Sequence, residues 1–215
     1  MRAGAIYLAI NFNTIAPNCA MQKGNTMKSF EELIFIWQSH ALNMKGQAHL
    51  VLREHEFTQS SLDREDIGGA YVKKHGRFFD FDASGQFMIL QGIWEYNDEN
   101  PEEPILCDMI AWHPSQPKEI LFLRGEEGGL LGEKSLFMAQ TFQDDLSIYE
   151  TPFDWLKNDS NGCVLLDVKS IHELIGVSRV ICTNSYFGKF LKTQLTQYIY
   201  RGFPEFYVSA QGGLA

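Results

Sequence analysis

Apolar and polar positions change rhythm twice along this chain. Phe30, Leu33, Ile34 and Trp37 recur at helical spacing behind Ser29 and Glu32, a capping-box pair. The pattern predicts a helix from about Phe30 to Asn43, with Trp37 turned to the core. Residues 44–69 carry less pattern; SSLDREDIGG predicts a short helix opening at Ser60 or Ser61 and stopping at Gly68-Gly69. A period of two then takes over. RFFDFD, the short link ASG and QFMILQGIWEY predict a hairpin, and ILCDMIAW and EILFLRG, divided by the prolines of HPSQP, predict two more strands. Four strands with short connections, from about Phe78 to Arg124, make an antiparallel meander with the helix on one face.

The second half has a different grammar. GGLLGEKSLFMAQ is helical after its glycines, and Thr151-Pro152 places an N-cap before a proline at the first helical position. The apolar runs CVLLD, RVICT and EFYV then alternate with the helical segments VKSIHELIG and SYFGKFLKTQLTQYIY. Strands alternating with helices predict a parallel layer, here from residues 163–167, 179–183 and 205–208. The fold class expected is α+β: an N-terminal helix with an antiparallel β-meander, followed by a small parallel α/β layer. The divisions expected are an extension over 1–26, a helix-plus-meander unit over 27–130 and a three-stranded layer over 131–215. A single continuous domain is the other possibility. Trp94, Trp112 and Trp155, each in or beside an apolar run, are expected to be buried.

Composition narrows the function classes. The chain has 215 residues, 45% hydrophobic and 21% charged, which excludes a disordered chain. No apolar run approaches the ~20 residues that span a bilayer. The formal charge of −9 argues against a surface that tracks nucleic acid throughout and favours a protein partner over a nucleic-acid one. Cys19, Cys107, Cys163 and Cys182 form no close pair, so a structural zinc is not expected and a reducing, cytoplasmic setting fits. MRAGAIYLAI mimics a signal peptide only in part, lacking a cleavage site of small residues. EYNDENPEEP reads as a solvated acidic loop. Nucleophile-elbow, phosphate-loop and zincin motifs are lacking.

Ligands of parallel sheets bind outside the carboxyl ends of strands, which nominates Asp167, Thr183, Asn184 and Ser185, with Ser209 after the third run. Helix capping is the competing role for Asp167 and Ser185. A catalytic alternative also exists. Asp154, Asp167 and Lys169 spell D-x(12)-D-x-K, and Gln194 with Tyr198 spells Q-x-x-x-Y. This constellation resembles PD-(D/E)xK nucleases. The resemblance implies carboxylates holding magnesium, with Glu150 as a further candidate, and a lysine aiding the attacking hydroxide.

Two further resemblances are carried by the middle and the end of the chain. Asp108, Ala111, Trp112, Pro114 and Pro117, then Arg124, Gly125, Leu131, Gly132, Thr151, Pro152, Trp155, Leu156, Gly162 and Asp167, resemble a bacterial family encoded by prophages and mobile elements, over about residues 100–170. The resemblance implies a mobile-element origin and a role near replication, with no reaction attached. The alternating second half is similar to a Toprim-like layer, but Asp167 is followed by Val168-Lys169 rather than x-Asp, so the magnesium-holding pair is degenerate. The expected function is therefore a mobile-element accessory protein, non-enzymatic or degenerate, needing no cofactor and acting by binding a partner. A magnesium-dependent nuclease is the alternative.

Overall fold

The computed structural model describes residues 30–62, 66–97, 100–125 and 129–202. The expected 1–26 extension, the Ser29 half of the capping box, the strand at 205–208 and Ser209 lie outside them. The architecture is α+β, a small β-barrel joined to a mixed sheet.

Helix α1 (Phe30–Ile36) runs directly into a π-helical segment, Trp37–Leu42. The Ser39 hydroxyl donates to the Phe35 carbonyl at 2.7 Å, competing for a helix acceptor where the ladder widens. Trp37 is buried as expected. Helices α2 (Lys45–Arg53) and α3 (Gln59–Leu62) follow, then strands β1 (Ile67–His75), β2 (Phe78–Phe81), β3 (Gln86–Asn97), β4 (Asn100–His113) and β5 (Gln116–Phe122). They close into a barrel in the order β1-β2-β5-β4-β3, with β2 parallel to β5 at Phe78 and Phe122.

Two local expectations are corrected here. Gly68-Gly69 does not end a helix but lies inside β1. The reason is close packing: a Cβ on Gly68 would stand 2.5 Å from the Ala41 carbonyl oxygen, so only glycine lets the π segment rest on the strand. Nor do β2 and β3 form a hairpin. Both run antiparallel to β1 on its opposite edges, and Val72 pairs with Phe81 on one and Gln86 on the other. The intervening DASG crosses over β1. Asp82 N–H still donates to the Tyr71 carbonyl, while a Cβ on Gly85 would lie 2.2 Å from the Val72 oxygen. The meander therefore comprises only β3, β4 and β5.

The second sheet has the order β6-β8-β7-β9, from β6 (Leu130–Leu131), β7 (Asp145–Tyr149), β8 (Cys163–Leu165) and β9 (Arg179–Cys182). Between them come α4 (Glu133–Phe142), α5 (Pro152–Lys157) and a 3-10 helix (Val168–Leu174), and α6 (Ser185–Gly202) ends the described chain. The runs at 163 and 179 are parallel strands as expected, but they are not neighbours: each pairs with β7, which lies between them. That strand escaped the sequence reading because its five residues fit tightly between the end of α4 at Phe142 and the Thr151 cap, too few to show a period, and β6 escaped because it has two residues.

Alternation along the strands sorts the core. Val72, Met88, Leu90, Met109, Ala111 and Leu121 pack with Leu33, Trp37 and Ala41 of the first helix. The intervening positions, Ile89, Ile93, Ile110, Trp112 and Phe122, join Ala48 and Leu52 of α2 and, from the second sheet, Tyr149, Trp155, Leu156 and Val164. One core thus runs through both halves. Trp112 and Trp155 are fully enclosed and Trp94 partly so. Among the described residues no helix is long and apolar enough to cross a membrane.

Candidate functional site

The carboxyl ends of the parallel strands gather the nominated residues, and each side chain can be followed to its partner. Thr151 N-caps α5, with its hydroxyl accepting from Asp154 N–H at 3.1 Å and donating to Asp154 Oδ2 at 2.7 Å. Asp154 is therefore half of a reciprocal cap. Glu150 beside it accepts from Lys118 of β5 at 2.6 Å. Asp167 N-caps the 3-10 helix, accepting from Lys169 N–H at 2.9 Å, and its other oxygen meets the Arg77 guanidinium at 3.5 Å. Asn184, not Ser185, caps α6, accepting from Phe187 N–H at 2.8 Å; Ser185 is the first helical residue. Thr183 and Ser185 are exposed.

The nuclease constellation is not brought to one cleft. In β7 and β8, Tyr149 and Val164 face α5 and the barrel, while Ile148 and Cys163 face the 3-10 helix and α6. Asp154 therefore belongs to an element on one face of the sheet, and Lys169, Gln194 and Tyr198 to elements on the other. Asp167 has extended dihedrals, but the helix begins at Val168, so residues 167 and 169 do not repeat on one extended face. Tyr198 stacks on His172 with ring centroids 5.4 Å apart. Among the described residues no group of three or more His, Cys, Asp or Glu side chains could hold a metal ion.

No protein-family model matches the chain, and no curated protein or solved structure is significantly similar to it. The residues behind the sequence resemblance can still be read physically. Asp108, fully buried on β4, accepts backbone N–H bonds from Met109 (2.7 Å), Arg124 (3.0 Å) and Gly125 (2.8 Å), and so fixes the chain leaving the barrel. Burial pushes its carboxyl up to about 6 against those three donors and the Arg124 charge. Gly132 and Gly162 both have positive φ, and a Cβ on Gly132 would lie 2.2 Å from the Gly162 oxygen. That same oxygen accepts the Trp155 indole N–H at 2.9 Å. Asp108, Gly132, Thr151, Trp155, Gly162 and Asp167 thus all do framework work at the junction of barrel and sheet.

Clefts add little. One of about 260 Å³ is lined by Lys134, Ser135, Asp144, Asp145, Ser147 and Asn161. It opens at the amino end of β7, away from the strand ends where such sheets bind ligands. Cys163 is likewise unsuited to chemistry, because burial and the neighbouring Cys182 push its thiol up to about 12.

Sequence reasoning missed a different feature. Helix α6 buries Leu191 and half-buries Phe187 and Leu195 against the sheet, but Tyr186, Phe190, Ile199 and Tyr200 are exposed, Tyr186 by 84% and Tyr200 by 72%. Every residue from Thr196 to Tyr200 is exposed. The signal was available: an 18-residue helix is about 27 Å long, twice the length of a four-residue strand, so its far end must overhang.

Proposed function

We propose that this protein is a binding module, an accessory protein of a prophage or mobile element that acts by docking a macromolecular partner rather than by turning over a substrate. The exposed aromatic face of α6 carries the reading. A monomer gains nothing by holding three large rings in water, and exposed aromatic clusters mark interaction sites. The engagements of Asp154, Asp167 and Asn184 support it from the other side, since Asp154 holds the Thr151 capping hydroxyl and the other two cap helices themselves.

Site-specific photo-crosslinking tests it. With a photoreactive side chain placed at Tyr186 or Phe190 in cells expressing the full chain, a discrete adduct is expected. The same group at Lys73, exposed on the barrel, is expected to give none. Adducts at Lys73 but not on α6, or magnesium-dependent DNA cleavage abolished by Asp167→Ala, would defeat the proposal.

A further inference from the structure

We infer that the outward face of α6 is a platform for single-stranded nucleic acid, an inference that rests on the docking role proposed above and names its ligand. The chain's negative charge is unevenly spread. Between Glu173 and Glu205 there is no Asp or Glu, whereas Arg179, Lys189, Lys192 and Arg201 all fall there. Arg179 is engaged by Asp145. Lys189 and Lys192 are exposed on α6.

Helix geometry then sets out the face. At about 100° per residue, Tyr186, Lys189, Phe190, Thr193, Gln197 and Tyr200 share an arc of about 100°, with Lys192 on its flank. The buried Leu191 lies on the opposite side. From Tyr186 to Tyr200 the face extends about 21 Å. Tyr198 is not part of it, because its ring is stacked on His172.

The pattern of this face selects its occupant. A second copy docking through the same surface would set lysines against lysines with no carboxylate between them. A partner helix needs an unbroken apolar seam at i, i+3 or i+4, and i+7, and Thr193 and Gln197 interrupt it between Phe190 and Tyr200. Separated flat rings, with cations and the Gln197 amide between them and the Thr193 hydroxyl turned back onto the Lys189 carbonyl at 2.8 Å, suit bases stacked on rings and phosphates held alongside. The formal charge of −9 does not oppose this, since the carboxylates lie on other elements.

Fluorescence anisotropy of a labelled oligo(dT) strand titrated with the full chain at low salt tests the inference. Saturable binding is expected, with log K falling against log salt at a slope of about −1.4 to −2, as two or three phosphate contacts give. The Tyr186→Ser/Phe190→Ser double variant is expected to lose roughly tenfold or more in affinity. Lys189→Glu should weaken binding further at low salt than at high, with thermal unfolding unchanged because all three side chains are exposed. No binding by the parent chain, or equal binding by the variants, would overturn the inference. So would equal competition by poly-glutamate, which would mark an acidic protein site, or a dimer in light scattering dispersed by the same substitutions. Protein adducts at Tyr186 without oligo(dT) binding would sink the nucleic-acid ligand and leave the docking role standing; absence of both would sink both.

Discussion

Trp155→Ala is expected to cost about 3–5 kcal/mol of folding stability, a large share of the roughly 5–15 kcal/mol that holds a folded domain together. Trp155 is 2% exposed and sits in the one core cluster shared by barrel and sheet, so its loss opens a cavity where neither half can close alone. Its indole N–H also satisfies the carbonyl of Gly162, which holds φ at +107° and where a Cβ would lie 2.2 Å from the Ser147 carbonyl oxygen. Trp155→Phe keeps most of the volume and removes only that donor, so it is expected to cost less, about 1–3 kcal/mol. Urea unfolding followed by circular dichroism measures both. A loss below about 1 kcal/mol for Trp155→Ala would show that the two halves do not share a core.

The second large effect is on pH dependence. Asp108 is protonated more readily in the folded protein than in the unfolded chain, about 6 against 3.8, because burial penalises its charge. A carboxyl raised in this way contributes stability that is fully present below pH 3.8 and lost as pH rises through 6. The change across that window is about 3 kcal/mol, from 1.36 kcal/mol per pH unit. Asp145 and Asp159 act in the opposite sense, held low by Arg179 and by the Ser60, Thr58 and Ser61 hydroxyls. The difference between the parent chain and Asp108→Asn isolates the Asp108 contribution. Stability differences at pH 4 and pH 7 should diverge by about 2 kcal/mol, most of that change, the variant gaining relative to the parent as pH rises. A constant offset between them would show that Asp108 ionises normally.

These two residues also show what was legible in the sequence. Trp155, Thr151 and Pro152 were readable because a cap, a first-turn proline and an apolar aromatic are local signals. Asp167 was readable as a cap for the same reason. Asp108 belonged to a motif, but its role depends on N–H groups of Arg124 and Gly125 sixteen and seventeen residues away, brought near only by the β4–β5 pairing. Gly68 failed as a helix stop because its reason is the approach of Ala41, a contact that no local pattern encodes. ASG failed as a hairpin turn because crossing a strand and reversing direction need the same small, polar residues. The α6 face was missed by averaging: whole-chain charge hides a helix without carboxylates.

Docking of single-stranded nucleic acid through α6 is read out by amide hydrogen exchange along the full chain, with and without oligo(dT). Alone, the exposed residues 196–200 should exchange faster than 187–195, which pack on the sheet. With the strand bound, protection is expected to rise across α6 and nowhere else. Unchanged exchange in α6 would contradict the nucleic-acid ligand, and protection centred on Asp154 and Asp167 at the carboxyl edge of the sheet would contradict docking through α6 altogether.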